Sequence, residues 1–284
     1  VGSLSPSDLE ALADRLLAMS PEEITAEHGL SFVEAETVGP SLLAYSEIAS
    51  AFGVRRIVVP KAHLRTALEV EMSIRPELAE EFREHVRHAA RMLADRYRVD
   101  RSHADQVATL AVTLFRELRT LHGLGPRYEF LLEIAARLHE VGLYVSNRSH
   151  HKHSMYLIQN SELFGVSQDD LTLIALVARY HRKSPPRPDH PVYGALARPQ
   201  RVVVQKLAAL LRVADALDRS HQRRVSQLRV KQQDQRIVLM VPGGGDLTIE
   251  RMALREKGAM LEELFGVTLE LVGTTEREAA TDEI

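Results

Sequence analysis

From Pro76 to His221 the chain reads almost wholly as helix, and this leaves it little choice of fold. Apolar residues recur at helical spacing through Pro76–Val99, Arg101–His122, Tyr128–His139, His150–Asn160, Gln168–His181 and Pro199–Ser220. The breaks are marked by Gly123, Gly125, Pro126 and the run Pro185-Pro186-Arg187-Pro188. This part is an α-helical domain.

Its polar residues collect at helix ends. The helix before Leu138 is apolar on the face of Leu131, Ile134, Ala135 and Leu138, so His139 and Glu140 sit where the chain leaves the core. The stretch from Leu138 to Ser161, LHEVGLYVSNRSHHKHSMYLIQNS, brings in Arg148, His150, His151, Lys152 and His153. A histidine next to an acid supplies two different ligand or proton-transfer groups, a pairing that suits metal-assisted phosphate chemistry. His103 falls in the first turn of its helix, His181 ends its helix as Tyr180-His181-Arg182-Lys183, and Asp215 lies inside RVADALDRSH. Each also has a plain structural reading. A helix-end histidine favours the dipole, and Asp215 can pair with Arg212 or Arg219 at helical spacing.

Charge is unevenly spread. The whole chain carries −3, but His139 to Arg224 holds thirteen Lys and Arg against seven acids, +6, which leaves −9 for the rest. The balance excludes a uniformly basic nucleic-acid coat and focuses positive potential on the loop side of the helical domain. With 284 residues and 45 % hydrophobic content the chain buries a sizeable core and has room for two or three domains. There is no cysteine, which excludes disulfides and thiolate metal ligands and points to a cytoplasmic setting. No window is long and apolar enough for a membrane span. The Val-Gly-Ser start suggests a fragment.

The flanks read differently. In residues 1–74, Ser7-Asp8 is expected to cap a helix, Ser20-Pro21-Glu22-Glu23 to open a second, and Pro40–Phe52 to form a third. Val54–Val59 reads as one buried strand, pairing with strands outside this chain or lying against the following helices. Residues 223–284 read as a small α+β module. Its expected strands are Val225–Val230, Arg236–Val241, Leu247–Ile249 and Val267–Val272, with a turn at Gln232–Gln235, a helix over Ala253–Phe265, and fraying from Thr274.

The order His103, His139-Glu140, His151 or His153, His181, Asp215 resembles the HD phosphohydrolase superfamily, in which a His, a His-Asp pair and a distant Asp surround one or two metal ions. The wording HHKHSMYLIQNSELFGVS, followed by ARYHRKSPP and LLRVADALDRSH, resembles the C-terminal helical domain of the exopolyphosphatase/guanosine pentaphosphatase family. The stretch LSFVEAETVGPSLLAYSEIASAFGVRRIVVPKAHLRTAL is similar to the end of that family's second actin-like domain. The resemblance implies a mainly α fold in three parts: 1–74 as the remnant of an actin-like (ribonuclease H-like) domain, 75–222 as an HD-like helical domain, and 223–284 as the small α+β domain. It implies hydrolysis of phosphoanhydride bonds, polyphosphate or a guanosine nucleotide as ligand, and a homodimer, with neither a membrane nor a specific nucleic acid as partner.

The candidate site has two sets of residues. A divalent metal, magnesium or manganese, is expected on His103, His139, Glu140 and Asp215, with His139 and Glu140 catalytic. Anion binding is expected from Arg148, His150, His151, Lys152, His153, Arg179, His181, Arg182, Lys183 and Arg219, strengthening as pH falls from about 8 to 6 and His150, His151 and His153 charge. The alternatives are a metal-dependent phosphohydrolase in its own right, or a non-catalytic anion-sensing or dimerisation module. Three departures from the family stand out. Its phosphate-binding glycine loops and catalytic glutamate have no counterpart in this chain, Leu64-Arg65-Thr66-Ala67 stands where the family has Leu-Arg-Glu-Gly, and Glu140 replaces the superfamily's Asp.

Overall fold

The computed structural model describes residues 2–59, 76–243 and 245–274. The Leu64–Ala67 departure, Gly244 and the residues past Thr274 lie outside the described residues, and Thr274 itself, expected to fray, ends a strand. The chain divides into two compact units, Val1–Ala79 and Glu80–Ile284.

In the first unit β1 (Gly2–Leu4) leads into α1 (Pro6–Leu17), α2 (Pro21–His28) and α3 (Phe32–Ala51), followed by β2 (Ile57–Val59). All three helices open on capping boxes, Ser5 with Asp8, Ser20 with Glu23 and Ser31 with Glu34, in which each side chain satisfies the other's free backbone N–H. Two expectations need correcting here. The cap of α1 is Ser5 rather than Ser7, and α3 begins eight residues before Pro40, opening on the Ser31–Glu34 box and keeping the proline inside it. The strand near Val54–Val59 shortens to Ile57–Val59 and pairs antiparallel with Gly2–Leu4, Leu4 opposite Ile57, so its partner lies inside this unit. Leu16, Ile24 and Ala35 form the small core.

The second unit is mainly helical with a small α+β end. It takes in α4 (Pro76–Arg96) from Glu80 onward, α5 (Arg101–Glu117), α6 (Pro126–Leu138), α7 (His150–Gln159), α8 (Gln168–Arg179) and α9 (Arg198–Leu217). Short helical turns stand at Arg119–His122, Val141–Tyr144 and Pro191–Gly194. The helix at the centre is α9, in which every residue from Leu207 to Leu217 is buried. A helix buried all round is held by neighbours on every face, here α5, α6 and α8 from the helical part and α10 and α11 from the end that follows. Any charge on that stretch must therefore meet a partner inside the protein.

The end consists of β3 (Arg229–Gln233), β4 (Arg236–Pro242), α10 (Thr248–Lys257), α11 (Ala259–Phe265) and β5 (Thr268–Thr274). β3 and β4 form an antiparallel hairpin turning at Asp234, whose φ of 51° is left-handed, and β5 joins β4 in parallel after the two helices cross over. The expected strand at Leu247–Ile249 is the start of α10, where Asp246 accepts the Thr248 N–H at 3.0 Å. Two apolar residues around a threonine are too few for periodicity to separate strand from helix. The helix expected over Ala253–Phe265 is two helices that meet at Gly258. A Cβ there would lie 2.6 Å from the Leu254 carbonyl oxygen.

Candidate functional site

Six helix termini of the second unit converge. Asp100 caps α5, accepting the N–H groups of Ser102 at 3.0 Å and His103 at 3.2 Å, and so places His103 in the first turn. His139 follows α6 directly and His181 lies two residues past α8. Both rings donate Nδ1–H to the carbonyl three residues back, Ala136 and Ala178, at 2.6 Å. That local bond sends each Nε2 away from its own helix. His150 starts α7, Asp215 lies in the last turn of α9, and Lys257 ends α10.

His103 Nε2 and His139 Nε2 are buried with no hydrogen-bond partner, and they face the same carboxylate oxygen, Asp215 Oδ1, at 3.7 and 4.0 Å. Asp218, also wholly buried, lies one helical turn beyond Asp215. Its Oδ2 receives Nδ1–H of His103 at 2.8 Å, and its Oδ1 the Arg223 N–H at 2.8 Å. The other oxygen of Asp215, Oδ2, accepts from Lys257 Nζ. Asp215 thus pairs with His103 and Lys257; Arg212 instead donates to the carbonyls of Tyr180 at 2.7 Å and Lys183 at 2.5 Å.

Protonation follows from these contacts. Burial pulls His103 down, but Asp215 and Asp218, with Glu140 nearby, outweigh it and lift the ring to about 9. At 3.7 Å the Asp215 oxygen acts on that ring as a charge rather than as a hydrogen-bond acceptor. Burial would raise the Asp215 carboxyl, yet Lys257 and His103 hold it well below the usual carboxylate range. His139 and His181, wholly enclosed, are pushed down by burial, His181 strongly.

The residues fit a small divalent cation. A metal bonded to two ligands at about 2.0–2.2 Å holds them no farther apart than roughly twice that, and Asp215 Oδ1 meets this with His103 Nε2 at 3.7 Å and with His139 Nε2 at 4.0 Å. Three of the four expected ligands therefore meet in one buried triad. Glu140, half-buried, joins a different and more open group with His103 and His221, whose ring stacks on His103 at 3.7 Å.

Beside the triad opens a cleft of about 550 Å³. Arg182, Lys183, Arg212, Arg219 and Lys257 supply its cations, and Glu140, Asp215 and Glu256 its acids. The outer wall is α10, with exposed Ile249 and Met252. Of the expected anion ligands, His150, His181, Arg182, Lys183 and Arg219 line this cleft, whereas Arg148, His151, Lys152, His153 and Arg179 do not. A consecutive run on α7 cannot face one way, since neighbours on a helix point about 100° apart. The expected charging at mildly acidic pH also fails for two histidines. Burial, with Arg182 beside it, pushes His150 down, and burial with the neighbouring His150 charge pushes His151 down to about 4.

Sequence reasoning overlooked Lys257, Glu256, Asp218 and His221. Asp218 had a usable signal, three residues after Asp215 on a helix. Lys257 had none, because it ends an ordinary charged helix.

The model of the Ppx/GppA phosphatase family, domain III, matches residues 86–249. A guanosine-5'-triphosphate,3'-diphosphate pyrophosphatase of Pseudoalteromonas translucida is 36 % identical over 126 residues, 42 % of this chain and 24 % of the relative. The enzyme of the same name from Vibrio cholerae is 30 % identical over 173 residues, 61 % of this chain and 33 % of the relative. That of Vibrio atlanticus is 28 % identical over 204 residues, 70 % and 39 %. The chain spans about a quarter to two fifths of the length of these curated relatives.

Proposed function

The chain belongs to the Ppx/GppA phosphatase family, and from that premise we propose that its cleft binds a phosphoanhydride-linked polyanion, either polyphosphate or the phosphates of a guanosine nucleotide. In this reading the chain is the C-terminal part of a hydrolase that cleaves such bonds, with residues 1–74 as the end of its actin-like half. The observation that carries it is the cleft lining, five cations against three acids. Arginine forks onto pairs of phosphate oxygens and lysine adds a point charge, so a chain of phosphates finds several contacts in one groove.

The test is calorimetric titration with polyphosphate and, separately, with guanosine tetraphosphate across a salt series. Affinity should fall steeply with salt, as it does when many cations displace condensed counterions. Replacing Arg182, Lys183 and Arg219 by glutamine together should weaken binding at least ~10-fold, and replacing Arg15, Arg55 and Arg56 less than ~2-fold. Equal losses overturn the assignment of the cleft. The tighter of the two ligands identifies which polyanion the cleft prefers.

A second reading is favoured by the two buried Nε2 atoms that face Asp215. A divalent cation there would be held by His103, His139 and Asp215, and would supply Lewis-acid polarisation and an acidified water beside the phosphates. Of magnesium and manganese, two imidazoles suit manganese, since magnesium prefers oxygen ligands. Asp218 keeps His103 in the orientation that presents Nε2, and Ala136 does the same for His139.

A further inference from the structure

The Asp215 carboxylate is used from both sides. Oδ1 faces the two histidine Nε2 atoms, while Oδ2 accepts from the Lys257 ammonium. Asp215 is 4 % exposed, so this charge cannot be left to water, and a cation must stand beside it at all times. Lys257 provides one from outside the helical part, at the C-terminus of α10, the helix whose Ile249, Met252, Ala253 and Glu256 form the outer wall of the cleft. Asp215 pairs with no other lysine or arginine among the described residues.

We propose that Lys257 is an internal counter-cation that competes with a divalent metal for Asp215, so that the triad binds metal weakly while α10 is docked and tightly when Lys257 is withdrawn. Three features of the site point the same way. A dication arriving between His103, His139 and Asp215 meets an ammonium already neutralising its only anionic ligand, and the like charges repel across a buried, poorly screened site. Conversely, metal loading removes the reason for Lys257 to stay, because the carboxylate then has a stronger partner. Since Lys257 ends the helix that walls the cleft, whatever releases it also alters the groove, and metal content and groove shape become linked.

The inference rests on the metal reading of the triad and is independent of phosphate binding. The experiment is calorimetric titration of the full chain with Mn²⁺ alone, comparing wild type, Lys257→Met, which keeps the length and loses the charge, and Lys257→Arg, which keeps the charge. Lys257→Met should bind one Mn²⁺ at least ~10-fold more tightly than wild type, Lys257→Arg within ~3-fold of wild type. Adding His139→Ala to Lys257→Met should abolish the gain. Equal affinity in wild type and Lys257→Met removes the role of Lys257 while leaving the triad as a metal site. Absence of binding in every variant removes the metal reading itself.

An unsubstituted arm guards against a variant that fails to fold. In wild type, Mn²⁺ at millimolar concentration should raise amide hydrogen exchange through Thr248–Lys257. A wild-type site that loads without loosening that helix refutes the competition.

Discussion

Ser154→Ala is the substitution whose cost follows most directly from the geometry. The Ser154 side chain is wholly buried on α7. It donates to the His139 carbonyl at 2.7 Å and accepts the Gly142 N–H at 2.9 Å, so one hydroxyl fastens the loop that carries His139 and Glu140. Alanine keeps the volume nearly unchanged and strips both bonds. Each buried group left without a partner costs about 1–3 kcal/mol, which places the total near 3 kcal/mol. Water cannot make good the loss, because the two segments touch. A Cβ on Gly142 would lie 2.1 Å from the His150 carbonyl oxygen and 2.4 Å from the Ser154 nitrogen. At about 2–4 °C per kcal/mol for a unit of this size, the calorimetric midpoint of the larger unit should drop by about 6–12 °C. Amide exchange at Gly142 should rise in parallel. A loss under about 1 kcal/mol, or a midpoint shift without faster exchange at Gly142, would refute the view that this hydroxyl holds the His139 loop.

Stability should also fall on acidification between pH 6.5 and about 4, followed by urea denaturation at half-unit steps. The folded-state values of His122, His139, His150, His151 and His181 are all depressed by burial, that of His151 to about 4. The unfolded chain therefore binds more protons below 6.5 and is favoured as pH falls; a flat profile over that range contradicts the burial argument. Glu133→Ala should destabilise by about 1–3 kcal/mol in chemical denaturation, since Glu133 is buried and accepts from Arg87 at 2.9 Å and Arg137 at 3.1 Å, while Arg87 keeps Glu80 and Glu84 and Arg137 keeps Asp105. An effect below about 1 kcal/mol would show that water replaces the carboxylate.

Much of the site was legible in the sequence because its residues sit at helix termini, and termini leave marks. The apolar face of α6 ends at Leu138, so His139 had to emerge at a core boundary; His103 and Asp215 were likewise placed by helical spacing. The rest was set by contacts between elements far apart in the chain. Nothing in Gly2-Ser3-Leu4 signals a strand until Ile57-Val58-Val59 lies opposite it. Nothing local to Lys257 says that its ammonium reaches a carboxylate 42 residues earlier. The basic run on α7 misled for a different reason. Local charge density counts residues without regard to direction, and of Arg148, His150, His151, Lys152 and His153 the cleft receives His150 alone.

The central position of α9 bears on how the molecule comes to exist. Its carboxylate at Asp215 is enclosed by a core that residues 101–217 largely supply, while the ammonium that balances it arrives with Lys257, after the β3–β4 hairpin has been made. A chain leaving the ribosome therefore holds an aspartate that the helical core can cover only at a heavy electrostatic cost until α10 is available. Closing a loop of that length costs little more than closing one half as long, so the delay is tolerable. Before α10 is made, Asp215 is balanced by His103 alone, and Lys257 completes the pairing.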